Sequence, residues 1–235
     1  MFDDKMFYDK DWSLHEFEDD LFAYGPLFSG SKRKSSAPQK PSISKANRQI
    51  IKEISRDVEG NLKGIKAEEK IHSYLNPGPF ARVPHFELKN VYLLDSNGMS
   101  HEIDFIEIRE TGIFCIEVKN WSGDVRGARQ DKYWFANGNQ RRNPVLQNDT
   151  HIRAIHDIIG KKPHITSVIV MAQNNARRLN IPGVINLSDF RSFMEQFKEK
   201  VISLEDMRRI NSLLKDKRVQ MTREEHVANI KKYGK

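Results

Sequence analysis

One cysteine in 235 residues, Cys115, is too few for an intrachain disulfide or a cysteine-built zinc site. No apolar run approaches the roughly 18–20 residues that a membrane-spanning helix needs. The chain begins Met1-Phe2-Asp3-Asp4 and lacks the basic-then-apolar pattern of a secretory signal. Internal repeats are absent. Gly25 and Gly30 have the spacing of a phosphate-binding loop, but Ser31-Lys32 reverses the required Lys-Ser/Thr order and no helix starts there, which excludes an NTPase loop. His151 and His156 are five apart rather than the four that share a helical face, which argues against a histidine zinc site. The expectation is an intracellular protein, cytoplasmic and without a membrane partner.

Charge is plentiful, at 30% of residues, and unevenly placed. Residues 1–30 hold eight acids and two lysines, a net of −6, interleaved with Phe2, Phe7, Tyr8, Trp12, Phe17, Phe22, Tyr24 and Phe28. That leaves 37 basic and 24 acidic residues over 31–235, a net of +13 within an overall +7. A body this basic suits a polyanionic partner, although solubility alone explains it equally well. The acidic, aromatic segment reads as a docking motif for a partner protein or as a flap that folds back on the basic body.

Residues 29–44 are rich in Ser, Pro, Lys and Gly and read as a flexible linker. Ser44 caps an expected helix over about 45–58, and a second runs over about 65–75, ended by Asn76-Pro77-Gly78-Pro79. Phe86 to Leu94, Glu102 to Ile108 and Ile113 to Lys119 read as strands, with Asp95-Ser96-Asn97-Gly98 as a hairpin turn. Gly123 to Arg126, Tyr133 to Ala136 and Val168 to Met171 are shorter strands. Pro144 suits the first turn of a helix over about 144–159, and further helices are expected over about 188–199, 204–215 and 222–232. The order predicts an α/β layer, a mixed sheet flanked by helices with helices at the C-terminal end.

The chemistry concentrates in Glu102-Ile103-Asp104-Phe105 and Ile113-Phe114-Cys115-Ile116-Glu117-Val118-Lys119. Alternation along a strand puts Glu117 and Lys119 on one face and Phe114, Ile116 and Val118 on the other. On the preceding strand Ile103 and Phe105 are expected to project opposite to Asp104. The turn at Gly112 makes the two strands antiparallel neighbours, so Asp104 approaches Glu117 and Lys119 across the ladder. Two carboxylates held together repel unless a cation lies between them. A hard divalent ion, Mg²⁺ above all, fits that need and can activate water beside a phosphoryl group. The competing reading is an exposed Glu–Lys pair with Asp104 as a surface acid.

Asp104 and Glu117-Val118-Lys119 resemble the PD-(D/E)XK nuclease signature, and their surroundings over about 60–160 resemble the nuclease-related domain, NERD. Gly64-x-x-Ala67-Glu68 is similar to the family's opening Gly-x-x-Gly-Glu helix, with Ala67 in place of the second glycine. Glu102-Ile103-Asp104, Gly112-Ile113-Phe114, Asn120-Trp121-Ser122-Gly123, Trp134 and Asn143-Pro144-x-x-Gln147 match further family positions. The resemblance implies a restriction-endonuclease-like fold. It makes residues 45–235 a nuclease-like domain, with 161–235 as its C-terminal α/β and helical part. It assigns Asp104 and Glu117 to holding Mg²⁺ (or Mn²⁺), Lys119 to catalysis, Glu68 to assisting the metal or its water, and Gln147 to a reach into the site. Glu68 as an ordinary solvated helix acid and Gln147 as an exposed first-turn residue are the competing readings. Trp121 and Trp134 read as packing residues, and Cys115 as a small buried filler.

The function expected is metal-dependent hydrolysis of phosphodiester bonds in DNA ahead of RNA. A nucleic-acid-binding or scaffolding module without turnover is the alternative. Arg141-Arg142, just ahead of the helix that carries Gln147, is the favoured pair for phosphate contact.

Overall fold

The computed structural model describes residues 62, 64–75 and 84–233. The acidic segment 1–30, the linker 31–44, the helix expected over 45–58 and the Asn76-Pro77-Gly78-Pro79 stop lie outside them.

Helix α1 covers 64–75, followed by β1 (His85–Leu94), β2 (Ser100–Arg109) and β3 (Gly112–Lys119). Next come three short strands, β4 (Val125–Arg126), β5 (Tyr133–Ala136) and β6 (Asn139–Arg142), and then α2 (Pro144–Ile159). The chain continues through β7 (Ile165–Met171), β8 (Val184–Asn186), α3 (Phe190–Met194), α4 (Leu204–Lys217) and α5 (Arg223–Tyr233). The main sheet has the order β1-β2-β3-β7-β8. Its first two pairings are antiparallel and its last two parallel, so it is a mixed sheet. β4, β5 and β6 form a separate antiparallel sheet. This is the α/β architecture expected, with helices on both faces, and it is consistent with a nuclease-like fold. No helix among the described residues is long and apolar enough to cross a membrane.

The pleat sorts side chains onto two faces. Ile106, Ile108, Ile113 and Cys115 pack with Ile155 and Ile159 of α2 and with Met207, Ile210 and Leu214 of α4. Phe105, Phe114 and Ile116 pack with Ile71 and Leu75 of α1 and Phe190 of α3. A third cluster joins Val125, Trp134 and Ala136 of the small sheet to Val145, Ile169 and Met171, which seats that sheet against α2 and β7.

Three details depart from the sequence reading. Ile103 and Phe105 lie in opposite clusters instead of sharing a face. Across from them Asn90 has φ of +50°, between the register pairs Lys89–Phe105 and Val91–Ile103, and the apolar alternation reverses there. Asparagine tolerates this conformation better than most residues. The helix expected over 188–199 is a 3₁₀ turn at Leu187–Asp189 and a five-residue α3. Past Met194 the amides of Gln196 and Phe197 bond three residues back, and Phe197 turns inward against Phe114 and Phe193. Strands β6 and β8, short and poor in the apolar alternation that marks a strand, had no sequence signal.

Asn143 joins the loop before β5 to the start of α2. Its Oδ1 accepts from the Val145 amide (2.9 Å) and caps α2, while its Nδ2 donates to the carbonyls of Arg129 (3.0 Å) and Asp131 (2.6 Å). The loop so held also receives the Trp134 indole, whose Nε1 donates to the Ala128 carbonyl at 2.9 Å. Gly127 passes flat over that indole. A Cβ there would stand 2.1 Å from Trp134 Cδ1, inside contact distance of a fully buried ring. Gly127→Ala is expected to cost about 1–3 kcal/mol by overpacking, read as a lowered melting temperature.

Glu107 is wholly buried on the α1 face of β2, with Arg109 Nε at 2.6 Å from Oε1. Burial pushes its carboxyl up to about 8 against the pull of Arg109, with Glu87 opposite adding to the rise. The folded protein therefore keeps this proton through a range where the unfolded chain has released it. The stability so gained is complete below about 4.5 and lost as pH rises through about 8. Urea unfolding from pH 5 to 9 should show the wild type losing stability relative to Glu107→Gln as pH rises. A pH-independent difference between the two refutes the assignment.

Candidate active site

Asp104 and Glu117 are the next positions beyond Phe105–Ile116, the last ladder pair between β2 and β3. Where the strands part, the Val118 amide donates to Asp104 Oδ2 at 2.7 Å, so the carboxylate takes the place of the missing ladder acceptor. Glu117 faces α2. Its Oε1 accepts from Lys119 Nζ at 2.5 Å and from Gln147 Nε2 at 3.0 Å, and Gln147 Oε1 accepts from Lys119 Nζ at 3.2 Å. Lysine, carboxylate and carboxamide thus form a closed triangle. The second carboxylate oxygen, Oε2, is buried without a hydrogen bond, and His151 Nδ1 lies 3.4 Å from it.

Burial raises the Asp104 carboxyl well above the ordinary range, and Glu117 raises it further; Lys119 and the Val118 amide only partly offset this. Glu117 is also raised by burial, against Lys119. Burial draws the Lys119 ammonium down, but the adjoining Glu117 carboxylate outweighs it and the net shift is upward. His151 is depressed to about 3 by burial first and by His101 and Lys119 next, so it is neutral at physiological pH. Lys119 offsets only part of what it costs to hold both carboxylates ionised in this place.

Glu68, from α1, lines the same cleft. Its Oε2 lies 3.8 Å from Lys89 Nζ, and its charge is one of those that raise Asp104. The cleft holds about 1340 Å³, and Lys132, Arg142, Arg153 and Arg223 are among its lining residues. The two arginines singled out from the sequence separate here. They are consecutive on β6 and project to opposite faces, and Arg142 lines the cleft whereas Arg141 is outside its lining.

Several site neighbours escaped the sequence reading. His151 follows Gln147 by four residues on α2, a spacing that puts both on one helix face. The five-residue spacing to His156 does not reveal this, because the helix-face neighbour of His151 is Gln147. Asn148 is fully buried and stitches the helix to the sheet. It accepts from Cys115 Sγ (3.0 Å) and donates to the Cys115 carbonyl (2.9 Å) and Ser167 Oγ (2.8 Å). Helix α5 closes part of the cleft, held by Ser100 Oγ–His226 Nδ1 at 2.7 Å and by the Ser100 amide donating to Asn229 Oδ1 at 2.7 Å.

Two carboxylates with one oxygen orphaned, both raised by burial and Asp104 also by its neighbour Glu117, fit a divalent cation. Among the described residues no group of three or more His, Cys, Asp and Glu side chains is placed to hold a metal ion. Asp104 and Glu117 would therefore leave most positions to water and substrate, the habit of Mg²⁺ in phosphoryl-transfer sites.

The family described as nuclease-related domain, NERD, matches residues 63–172, which include α1, the β1–β3 hairpins, the small sheet, α2 and β7. An uncharacterized protein of Bacillus anthracis is 26% identical over 156 residues, 63% of this chain and 71% of its own length. No solved structure matches the chain.

Asn148→Ala would remove the partner of the Cys115 carbonyl on the buried face and that of the half-buried Ser167 hydroxyl. A cost of about 1–3 kcal/mol per buried group left unpaired is expected in equilibrium unfolding.

Proposed function

We propose, from the premise that residues 63–172 carry a nuclease-related domain, that this chain hydrolyses phosphodiester bonds in DNA with Mg²⁺ (or Mn²⁺). The observation that carries the reading is the Asp104, Glu117 and Lys119 set at a strand fork, opening into a cleft with basic residues in its lining. Asp104 and Glu117 would hold the ion, with Glu68 assisting. A bound divalent ion supplies acidity to a coordinated water and neutralises charge on the phosphoryl group.

The protein's own groups then have separate tasks. The Lys119 ammonium has three N–H donors, of which Glu117 and Gln147 take two. The third is left for the attacking water or a phosphoryl oxygen, where a fixed positive charge favours the transition state. Gln147 bonds both Lys119 and Glu117 and so holds the lysine in register with the carboxylate. Lys132, Arg142, Arg153 and Arg223 supply backbone phosphate contacts, and binding should weaken as salt rises. DNA as substrate, with RNA second, follows the family resemblance.

Binding without turnover is the second reading, supported by the basic residues in the cleft lining, which binding alone would account for. One assay separates the two: cleavage of linear, nicked, circular and single-stranded DNA with Mg²⁺ or Mn²⁺. Lys119→Ala and Asp104→Asn should each slow cleavage by about 10²-fold or more. Both should still bind DNA when the metal is chelated. Equal rates for wild type and either variant would falsify the hydrolase assignment, and salt-sensitive binding with no cleavage under any divalent ion would establish the second reading.

A further inference from the structure

Strand β5 divides its side chains cleanly. Trp134 and Ala136 are buried in the third core cluster, while Tyr133 and Phe135 stand out from the other face, 40% and 49% exposed. The neighbouring strands surround these two rings with cations. Arg142 is the register partner of Tyr133, and Arg126 is the register partner of Phe135, so each shares its partner's face. Lys132 Nζ lies 5.4 Å from the centre of the Tyr133 ring. Gln140, also opposite Phe135, adds a neutral donor and acceptor. Arg126 is held by Asp124, with Nε at 2.6 Å from Oδ2.

Single exposed aromatics are common on protein surfaces, but two at alternate positions on one strand, with cations beside each, form a patterned surface. The face is also continuous with the cleft, because Lys132 and Arg142 belong to both. A protein partner would have to present acidic groups to these cations as well as apolar surface to the rings. The cationic rim here suits phosphates, and flat π faces beside it suit bases that are free to leave a stack. Paired bases cannot reach the rings, whereas an unpaired strand offers base and phosphate together.

We propose that the exposed face of the β4–β5–β6 sheet is a stacking platform for unpaired bases, which receives a single strand and delivers it to the cleft. The proposal rests on the nuclease reading for its destination and adds the substrate's form: DNA with single-stranded character at the site of entry. Tyr133 and Phe135 stack on bases, and Lys132 and Arg142 contact the phosphates between platform and cleft.

The test uses the full chain in EDTA, so that binding is measured without cleavage. Fluorescence anisotropy is read with a labelled oligothymidylate and with a duplex of equal length. Tyr133→Ala and Phe135→Ala should each weaken oligothymidylate binding about tenfold, near the low end of what one base–aromatic stack contributes. Duplex affinity should change by less than about twofold, the loss being confined to stacking. Tyr133→Phe and Phe135→Tyr keep a π face and should restore binding, which distinguishes stacking from general surface damage. Photocrosslinking of a 5-iodouracil oligonucleotide should map to the β5 peptide. Wild-type oligothymidylate affinity in the double alanine variant, an equal loss for duplex and single strand, or crosslinks only elsewhere would each overturn the platform. Its failure is separable from that of the hydrolase reading: Mg²⁺-dependent cleavage with ring-independent binding sinks the platform alone, and ring-dependent binding without cleavage sinks the hydrolase alone.

Discussion

Asp104 and Glu117 meet where β2 leaves β3, and both are largely withdrawn from water. Holding two like charges there costs free energy that the rest of the domain must supply. The supply is visible in the packing around them. Phe105, Phe114 and Ile116 press the strands against α1 and α3 on one side, while Cys115, Ile113 and Ile155 fasten α2 on the other. Asn148 then fixes α2 to β3 and β7 with three hydrogen bonds, one turn below His151 and beside Gln147. The two acids can be this close because every element that carries them is immobilised by something else.

The same constraint accounts for the shape of the cleft. A strand pair that continued its ladder past Phe105–Ile116 would satisfy the Val118 amide with a backbone carbonyl and leave no room for a side chain. The fork instead gives that amide to Asp104. The reversal of alternation at Asn90 accompanies the fork and keeps Val91, Leu93 and Ile103 in the α2/α4 core despite the change in pleat. Irregular backbone and buried charge therefore occur together, at the place where the chemistry is proposed.

The main strands, the turn at Asp95–Gly98 and α2 were legible from the sequence because their signals are local: alternation, a turn tetrapeptide, and a proline at the start of a helix. The triangle of Glu117, Lys119 and Gln147 was reachable only through a family resemblance, since α2 is separated from β3 by the whole small sheet. His151, Asn148 and the α5 contacts were illegible for the same reason. A neutral buried histidine and a buried asparagine look like any polar residue until the facing strand is known. Arg141 and Arg142 show the converse: adjacent in sequence, they were read as one patch, and the pleat of β6 sends them to different surfaces. Over 188–199 the apolar spacing suits a turn that folds Phe197 inward as well as it suits a continued helix, and the chain takes the turn.

In β5, four residues give two surfaces with unrelated duties. The pleat assigns Trp134 to anchoring the small sheet on the domain and Tyr133 and Phe135 to solvent. A single inserted or deleted residue within this strand would exchange the assignments, exposing the indole and driving the two rings into a space cut for a tryptophan and an alanine. The adjoining turn at Asn137–Gly138, with both residues at positive φ and Gly138 in open space, imposes no such parity. Among relatives of this chain, length variation should therefore collect in that turn and be purged from the strand beside it.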